Sequence, residues 1–271
     1  MTDTHATEKD IYPEAAYKAW QEKLAQDVRL LFGSTTVQTT TQCVGCGKDS
    51  TKEEFSIFDI PYRRCVDCHS LFAALRPSEA ELAAFYDHAP SVLYWKQYIW
   101  EPTKASREQI YIAPLLNWMF NIIHAYTPAA KVFLEYKPKF YSPFFTTQIE
   151  SYNVVCPLHC TPPAGSGIYN NLHEVTIQPD IAATFDDLDR ELYPGTFITW
   201  AGNHITKGGL LFFTTNTGSG FEYQILGKHA KRLVPPDRLN LLTIEAIRGM
   251  LTSAGFSIID LSTPSVLDVE I

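Results

Sequence analysis

The chain has 271 residues, 45% of them apolar, and a formal net charge of −8. That length suits one large domain with a small one, and that composition suits a packed core. The negative balance excludes a general nucleic-acid binder, which needs a basic face for phosphates. The polar residues 1–10 lack the apolar centre of a signal peptide. The most apolar helical stretch, 110-IYIAPLLNWMFNIIHAY-126, is interrupted by Pro114, Asn117, Asn121 and His124 and falls short of the about 20 apolar residues of a membrane span. A cytoplasmic protein without a membrane span is the expectation.

Residues 13–32 predict an amphipathic helix. Pro13 suits its first turn, and Trp20, Leu24, Val28 and Leu31 line one face. Gly33 and the Ser/Thr-rich 34–42 end it and form a linker.

Next come 43-CVGC-46 and 65-CVDC-68, two C-x2-C pairs separated by eighteen residues. Each pair fits a tight turn that points both sulfurs at one ion. The segment between them alternates at Phe55 and Ile57, which suits a hairpin returning the second turn to the first. Cys43, Cys46, Cys65 and Cys68 therefore predict a closed tetrahedral zinc site, with zinc–sulfur bonds of about 2.3 Å. Four protein ligands leave no position for water, so the expected role of the zinc is structural. Iron–sulfur sites of related spacing usually carry glycine after both pairs; here Gly47 follows the first and His69 the second. Cys156 and Cys160, with His159 between them, read as thiols at a strand end; the alternative is half of a second metal site.

Ser78 with Glu81 predicts a capped helix start within 76-RPSEAELAAFY-86. The aromatic 94-YWKQYIW-100 reads as core, and 104–126 as one or two further helices. From about residue 131 strands and helices alternate. Strands are predicted at 131–136, 152–156, 180–185, 209–215 and 256–262. Helices are predicted around 187–192 and at 242–255, the latter capped by Thr243 and stopped by Gly255. The expected fold class is α/β: a Rossmann-like, mostly parallel sheet flanked by helices, with an N-terminal zinc ribbon and a helical connector. The expected segments are an N-terminal helix and linker over 1–36, a zinc ribbon over 37–75, a helical connector over 76–128 and the sheet domain over 129–271. The final LDVEI reads like an unfinished strand.

The ribbon, then 76-RPSEAELAAFYDHAPSVLYW-95, 207-KGGLLFFTTNTGSGFEYQILGKH-229, 234-VPPDRLNLLTIEAI-247 and 263-TPSVLDVEI-271, in that order, resemble the class I S-adenosylmethionine-dependent methyltransferases that carry an N-terminal zinc ribbon. Many of that family act on sugars or small metabolites. The resemblance implies that the first strand ends in an acid, matched by Glu135, and continues into a glycine-rich turn around the cofactor. Those glycine positions fall on Lys137, Lys139 and Tyr141, and Pro138 removes an amide. The ribose-binding acid of the family falls near Leu158 or His159, and its acidic–histidine pair falls near Asp189 and Arg190. Phe140, Tyr141, Phe144 and Phe145 are large enough to fill a nucleoside's space.

The expectation is a methyltransferase-like pseudoenzyme, without catalytic residues and without S-adenosylmethionine in its degenerate site. It would serve as a binding or scaffold subunit for a protein partner such as an active homologue or a biosynthetic complex. One alternative is an active methyltransferase with a divergent cofactor site, tested at Tyr94, Trp95, Glu135 and Asn216. Another is a protein that binds phosphate or a sugar nucleotide through Lys137 and Lys139.

Overall fold

The computed structural model of the chain describes residues 8–34, 36–138, 145, 149–156 and 162–263. Helix α1 (Glu14–Phe32) buries the predicted stripe of Trp20, Leu24, Val28 and Leu31. The expected linker contains a short strand, β1 (Gln38–Thr39). It pairs with β5 (Leu75–Arg76), beyond β2 (Thr51–Ile57), β3 (Ile60–Cys65) and β4 (Leu71–Ala73). Strands β2, β3 and β4 form an antiparallel sheet. The β2–β3 turn is made by Phe58 and Asp59, both at positive φ (50° and 66°). That left-handed backbone has a twist that matches the flanking strands. Against one face of this sheet, Tyr62, Ile60 and Leu71 join the apolar stripe of α1.

Helix α2 (Glu79–His88) starts on the expected capping box. Ser78 Oγ accepts from the Glu81 amide at 3.2 Å, and Glu81 Oε2 accepts from the Ser78 amide at 2.8 Å. The rest of the connector is one helical run from 90 to 126: α3 (Pro90–Tyr94), a π turn (Trp95–Trp100), α4 (Glu101–Arg107), a second π turn (Glu108–Ile112) and α5 (Ala113–Tyr126). Each π turn comes just before a proline, Pro102 or Pro114. A proline within a helix has no N–H to donate and its ring collides with the carbonyl four residues back. A widened turn at that point lets the helix continue. Ala89 offers the run no capping side chain. Asp27 of α1 supplies one, its Oδ2 accepting from the Ser91 amide at 2.7 Å. Of the aromatic run 94–100, Ile99 and Trp100 are buried and Tyr94 and Trp95 pack against the core, whereas Tyr98 is exposed. Trp95 packs on Trp20 at 4.8 Å. The Arg107 guanidinium lies 5.1 Å from the Tyr12 ring, 5.6 Å from Trp95 and 5.5 Å from Trp100.

Five parallel strands follow: β6 (Val132–Tyr136), β7 (Ser151–Val155), β8 (Gly167–Tyr169), β9 (Ile181–Phe185) and β10 (Leu210–Thr214), in the spatial order β10-β9-β6-β7-β8. The chain builds outward from β6 to β8, then returns to place β9 on the other side of β6. This is a Rossmann-like α/β fold, with its switch point between β6 and β9. One face packs Phe133, Tyr152, Ile181 and Phe212 on Leu116 and Met119 of α5. The other packs Leu134, Val155 and Ala182 on Phe197, Trp200 and Ala201 of α6 (Gly195–His204). After β10 come α7 (Phe221–Leu226), β11 (Asn240–Leu241) and α8 (Ile244–Ser253). Thr243 caps α8 as expected, Oγ1 accepting from the Ala246 amide at 3.2 Å. Gly255 follows the helix at a φ of +85°. Strand β11 crosses back to pair with β4, so residues 240–241 complete a four-stranded sheet with the ribbon.

Two sequence expectations require correction. Residues 187–192 form turns and no helix; the helix of that region begins at Gly195. Asp187 and Asp189 are buried, with their side chains bonded to Thr184 and to Asn216 and Arg238. Helical periodicity in so short a segment yields to those contacts. Residues 256–262 pair with no strand among the described residues. Asp260 Oδ2 instead accepts from Trp118 Nε1 of α5 at 2.8 Å, and Ile259 and Leu261 are exposed. Branched apolar residues make a strand only where a partner edge accepts them. Among the described residues no helix is long and apolar enough to cross a membrane.

Candidate functional site

The two C-x2-C turns meet as predicted. The Sγ atoms of Cys43, Cys46, Cys65 and Cys68 all lie within 4.8 Å of one another, with Cys43–Cys68 and Cys46–Cys65 at 3.5 Å. A tetrahedron with zinc–sulfur bonds of about 2.3 Å has sulfur–sulfur edges of about 3.8 Å, whereas a disulfide needs about 2.05 Å. The four free thiols thus have the spacing of a metal cluster and could hold an ion such as zinc. Each turn is built alike. The amide two residues beyond Cys43 and the one three beyond Cys65 point at those sulfurs, at 3.4 and 3.5 Å. The residues after each pair, Gly47 (φ +74°) and His69 (φ +59°), both adopt the left-handed backbone. The second turn therefore has the shape usually given to glycine, although its residue is histidine. Cys43, hydrogen-bonded to Cys68 and buried, has its pKa pushed up, while Cys68, hydrogen-bonded to Cys43 and to Ser70, has its pKa pulled down to about 4.

The cluster is joined to the large domain by short contacts. Thr243 Oγ1, which caps α8, donates to the Cys68 carbonyl at 2.6 Å, and the Thr243 amide donates to Ser70 Oγ at 3.1 Å. Ser70 Oγ in turn lies 3.3 Å from Cys68 Sγ. The apolar wall of the cluster is Phe72 of β4 with Ala246 of α8.

At the switch point, Glu135 of β6 is buried and accepts a hydrogen bond from the Tyr152 hydroxyl, on the face covered by α5. Lys137 is the first residue beyond β6. Its φ is +54°, and its amide donates to the Val155 carbonyl at 2.9 Å. Its Nζ is ion-paired with Glu191, a residue of the loop after β9, and lies 5.2 Å from the centre of the Tyr136 ring. Burial alone would lower the pKa of Lys137, but Glu191 and Tyr136 outweigh it and hold the ammonium more firmly charged than usual. Lys139, Phe140, Tyr141, Phe144, Leu158, His159 and Cys160 lie outside the described residues. Phe145 is buried in the sheet core, stacked on Phe133 at 5.0 Å and on Phe185 at 5.7 Å. Cys156, the first residue beyond β7, is buried and disulfide-bonded, which corrects the expectation of a free thiol there.

Asp189 and Arg190, offered by the sequence as a site pair, take separate partners. Asp189 is fully buried; its Oδ2 accepts from Arg238 Nη1 at 3.1 Å and from Asn216 Nδ2 at 2.8 Å. Burial raises its pKa against the pull of Arg238. Arg190 Nη2 lies 3.5 Å from Asp237 Oδ2 and its guanidinium is 5.8 Å from the Tyr86 ring. The Tyr94 ring lies 4.5 Å from the Tyr98 ring, tilted by 31°.

The sequence reading missed Arg76, Glu191, Arg238 and Asn240. Asn240 is buried in β11; its Nδ2 donates to the carbonyls of Leu188 at 3.2 Å and Glu191 at 2.6 Å, and its Oδ1 accepts from Arg76 Nη2 at 2.8 Å. The available signal was a polar residue inside an apolar run, in 239-LNLL-242 and again in 71-LFAALRP-77. Neither a protein-family model nor a curated protein sequence matches this chain.

Proposed function

We propose that this chain is a methyltransferase-like zinc protein without methyl-transfer activity, acting as a binding or scaffold subunit beside an active homologue or within a biosynthetic assembly. The strand order and the ordered motifs support the relationship to methyltransferases. The observation that carries the loss of activity is the Lys137–Glu191 pair. A nucleoside-binding turn after the first strand needs bare backbone, so that amides can approach the ligand. Here the same left-handed backbone carries a lysine, whose side chain is ion-paired with a carboxylate from the loop after β9. Glu191 has only 15% of its side chain exposed. A ligand that displaced Lys137 would therefore break its ion pair to a largely buried carboxylate. Zinc in the four-cysteine cluster would fix the ribbon as a rigid surface and supply no chemistry.

Calorimetric titration with S-adenosylmethionine, and separately with S-adenosylhomocysteine, tests this reading. No binding heat up to millimolar ligand is the expected result. Saturable micromolar binding of either compound would show a working cofactor site and reject the proposal.

A further inference from the structure

Arg76 differs from the three partly exposed cations at the junction of the ribbon and the sheet domain, each of which is paired with a carboxylate. Its residue is 8% exposed. Arg238 has Asp189, Arg190 has Asp237 and Lys137 has Glu191. Arg76 has no carboxylate among the described residues. Its guanidinium lies 5.9 Å from the centre of the Phe72 ring, and one hydrogen bond, Nη2 to Asn240 Oδ1, is formed. Nε and Nη1 are buried without a hydrogen-bond partner among the described residues. Burial draws its pKa down to about 10, against the pull of the Tyr62 and Tyr193 phenols, and leaves it charged at neutral pH. A guanidinium in that condition carries a large desolvation cost, unless a counter-ion reaches it. The same junction leaves Arg190 Nε, Arg238 Nε and Asp189 Oδ1 buried without hydrogen-bond partners among the described residues.

We propose that Arg76 anchors a site for an oxyanion, the carboxylate or phosphate of a small metabolite, which takes the open Nε and Nη1 donors. Guanidinium suits this task because it stays charged and presents several donors in one plane. The Asn240 amide fixes the head group by its third nitrogen and is itself held by two carbonyls of the loop after β9. That loop also carries Glu191, so the site adjoins the Lys137–Glu191 pair through backbone and not through a shared charge. The site is independent of methyl transfer: a failed methyl-donor titration says nothing against it.

Thermal denaturation of the full chain in phosphate, in acetate and in chloride at matched ionic strength tests the proposal. Phosphate or acetate should raise Tm saturably over chloride, by about 3–6 °C at ten times the dissociation constant. A rise with phosphate alone assigns a phosphoryl ligand, and one with acetate alone a carboxylate; either supports the site. Arg76→Met should abolish the rise. Arg76→Lys, which keeps the charge and loses the planar donors, should weaken apparent affinity at least tenfold, and serves if the methionine variant does not fold. No saturable rise in the wild type with either anion, or an equal rise in the variants, would overturn the assignment.

Discussion

Lys137 joins two properties that conflict in free peptides: a side chain with a Cβ and a φ of +54°. The chain tolerates this because Nζ is tied to Glu191 and the amide to Val155. The two contributions can be separated by substitution. Lys137→Ala removes the ion pair and keeps the strained backbone; Lys137→Gly removes both. The glycine variant should therefore be the more stable of the two by about 1 kcal/mol in urea unfolding. Equal stabilities would show that the left-handed geometry is not held in solution. Asp186, the first residue beyond β9, repeats the pattern at φ +55°. Its amide donates to the Thr214 carbonyl at 3.0 Å, and its Oδ1 accepts from Thr214 Oγ1 at 2.9 Å. The backbone on both sides of the switch point thus keeps a shape that suits glycine while carrying charged residues.

Among the elements, α2 has the most explicit start signal, and its cap reaches beyond the helix. The hydroxyls of Ser34 and Thr36, together with the Ser78 amide and hydroxyl, hold the Glu81 carboxyl down at about 2, below its usual 4.5. A carboxyl whose folded pKa is depressed contributes stability above its unfolded pKa and loses it as pH falls through the folded one. The stability advantage of wild type over Glu81→Gln should accordingly be constant above about pH 5.5 and shrink between about pH 4.5 and 2. Equilibrium urea unfolding across that range reads it; a flat difference would mean that the carboxylate is not the capping species. The helical run at 90–126 shows the opposite case. Its N-terminus is capped from α1 by Asp27, and its prolines are absorbed by π turns.

For the molecule as a whole, the four-cysteine cluster and the sheet domain share a strand and a cap. Pairing of β11 with β4, and the bond from Thr243 to the Cys68 carbonyl, make the ribbon part of the same cooperative unit as α8. Metal analysis of the purified protein should find zinc bound in a single site. Chelation, or Cys43→Ser, should lower Tm by roughly 10 °C or more, within one transition. Two separated transitions, with the sheet domain unchanged by metal loss, would show that the strand and cap carry no coupling.

The cysteine spacing, the capping motifs and the alternation of strands and helices are local patterns, and they sufficed to locate the four-cysteine cluster, the start of α2, the cap and stop of α8, and four of the five parallel strands. They work because a C-x2-C turn, a helix cap and a buried strand are each encoded within a few neighbouring residues. Short β8, the turns at 187–192 and the unpaired 256–262 escaped, because each is decided by partners distant in sequence. The same holds for the chemistry at the junction. That Lys137 meets Glu191, that Asn240 joins Arg76 to the loop after β9, and that Arg76 lacks a counter-charge follow from the return of the chain to both sides of β6 and into the ribbon's sheet. Charge pairing and burial depend on three-dimensional distance, which only the assembled fold sets.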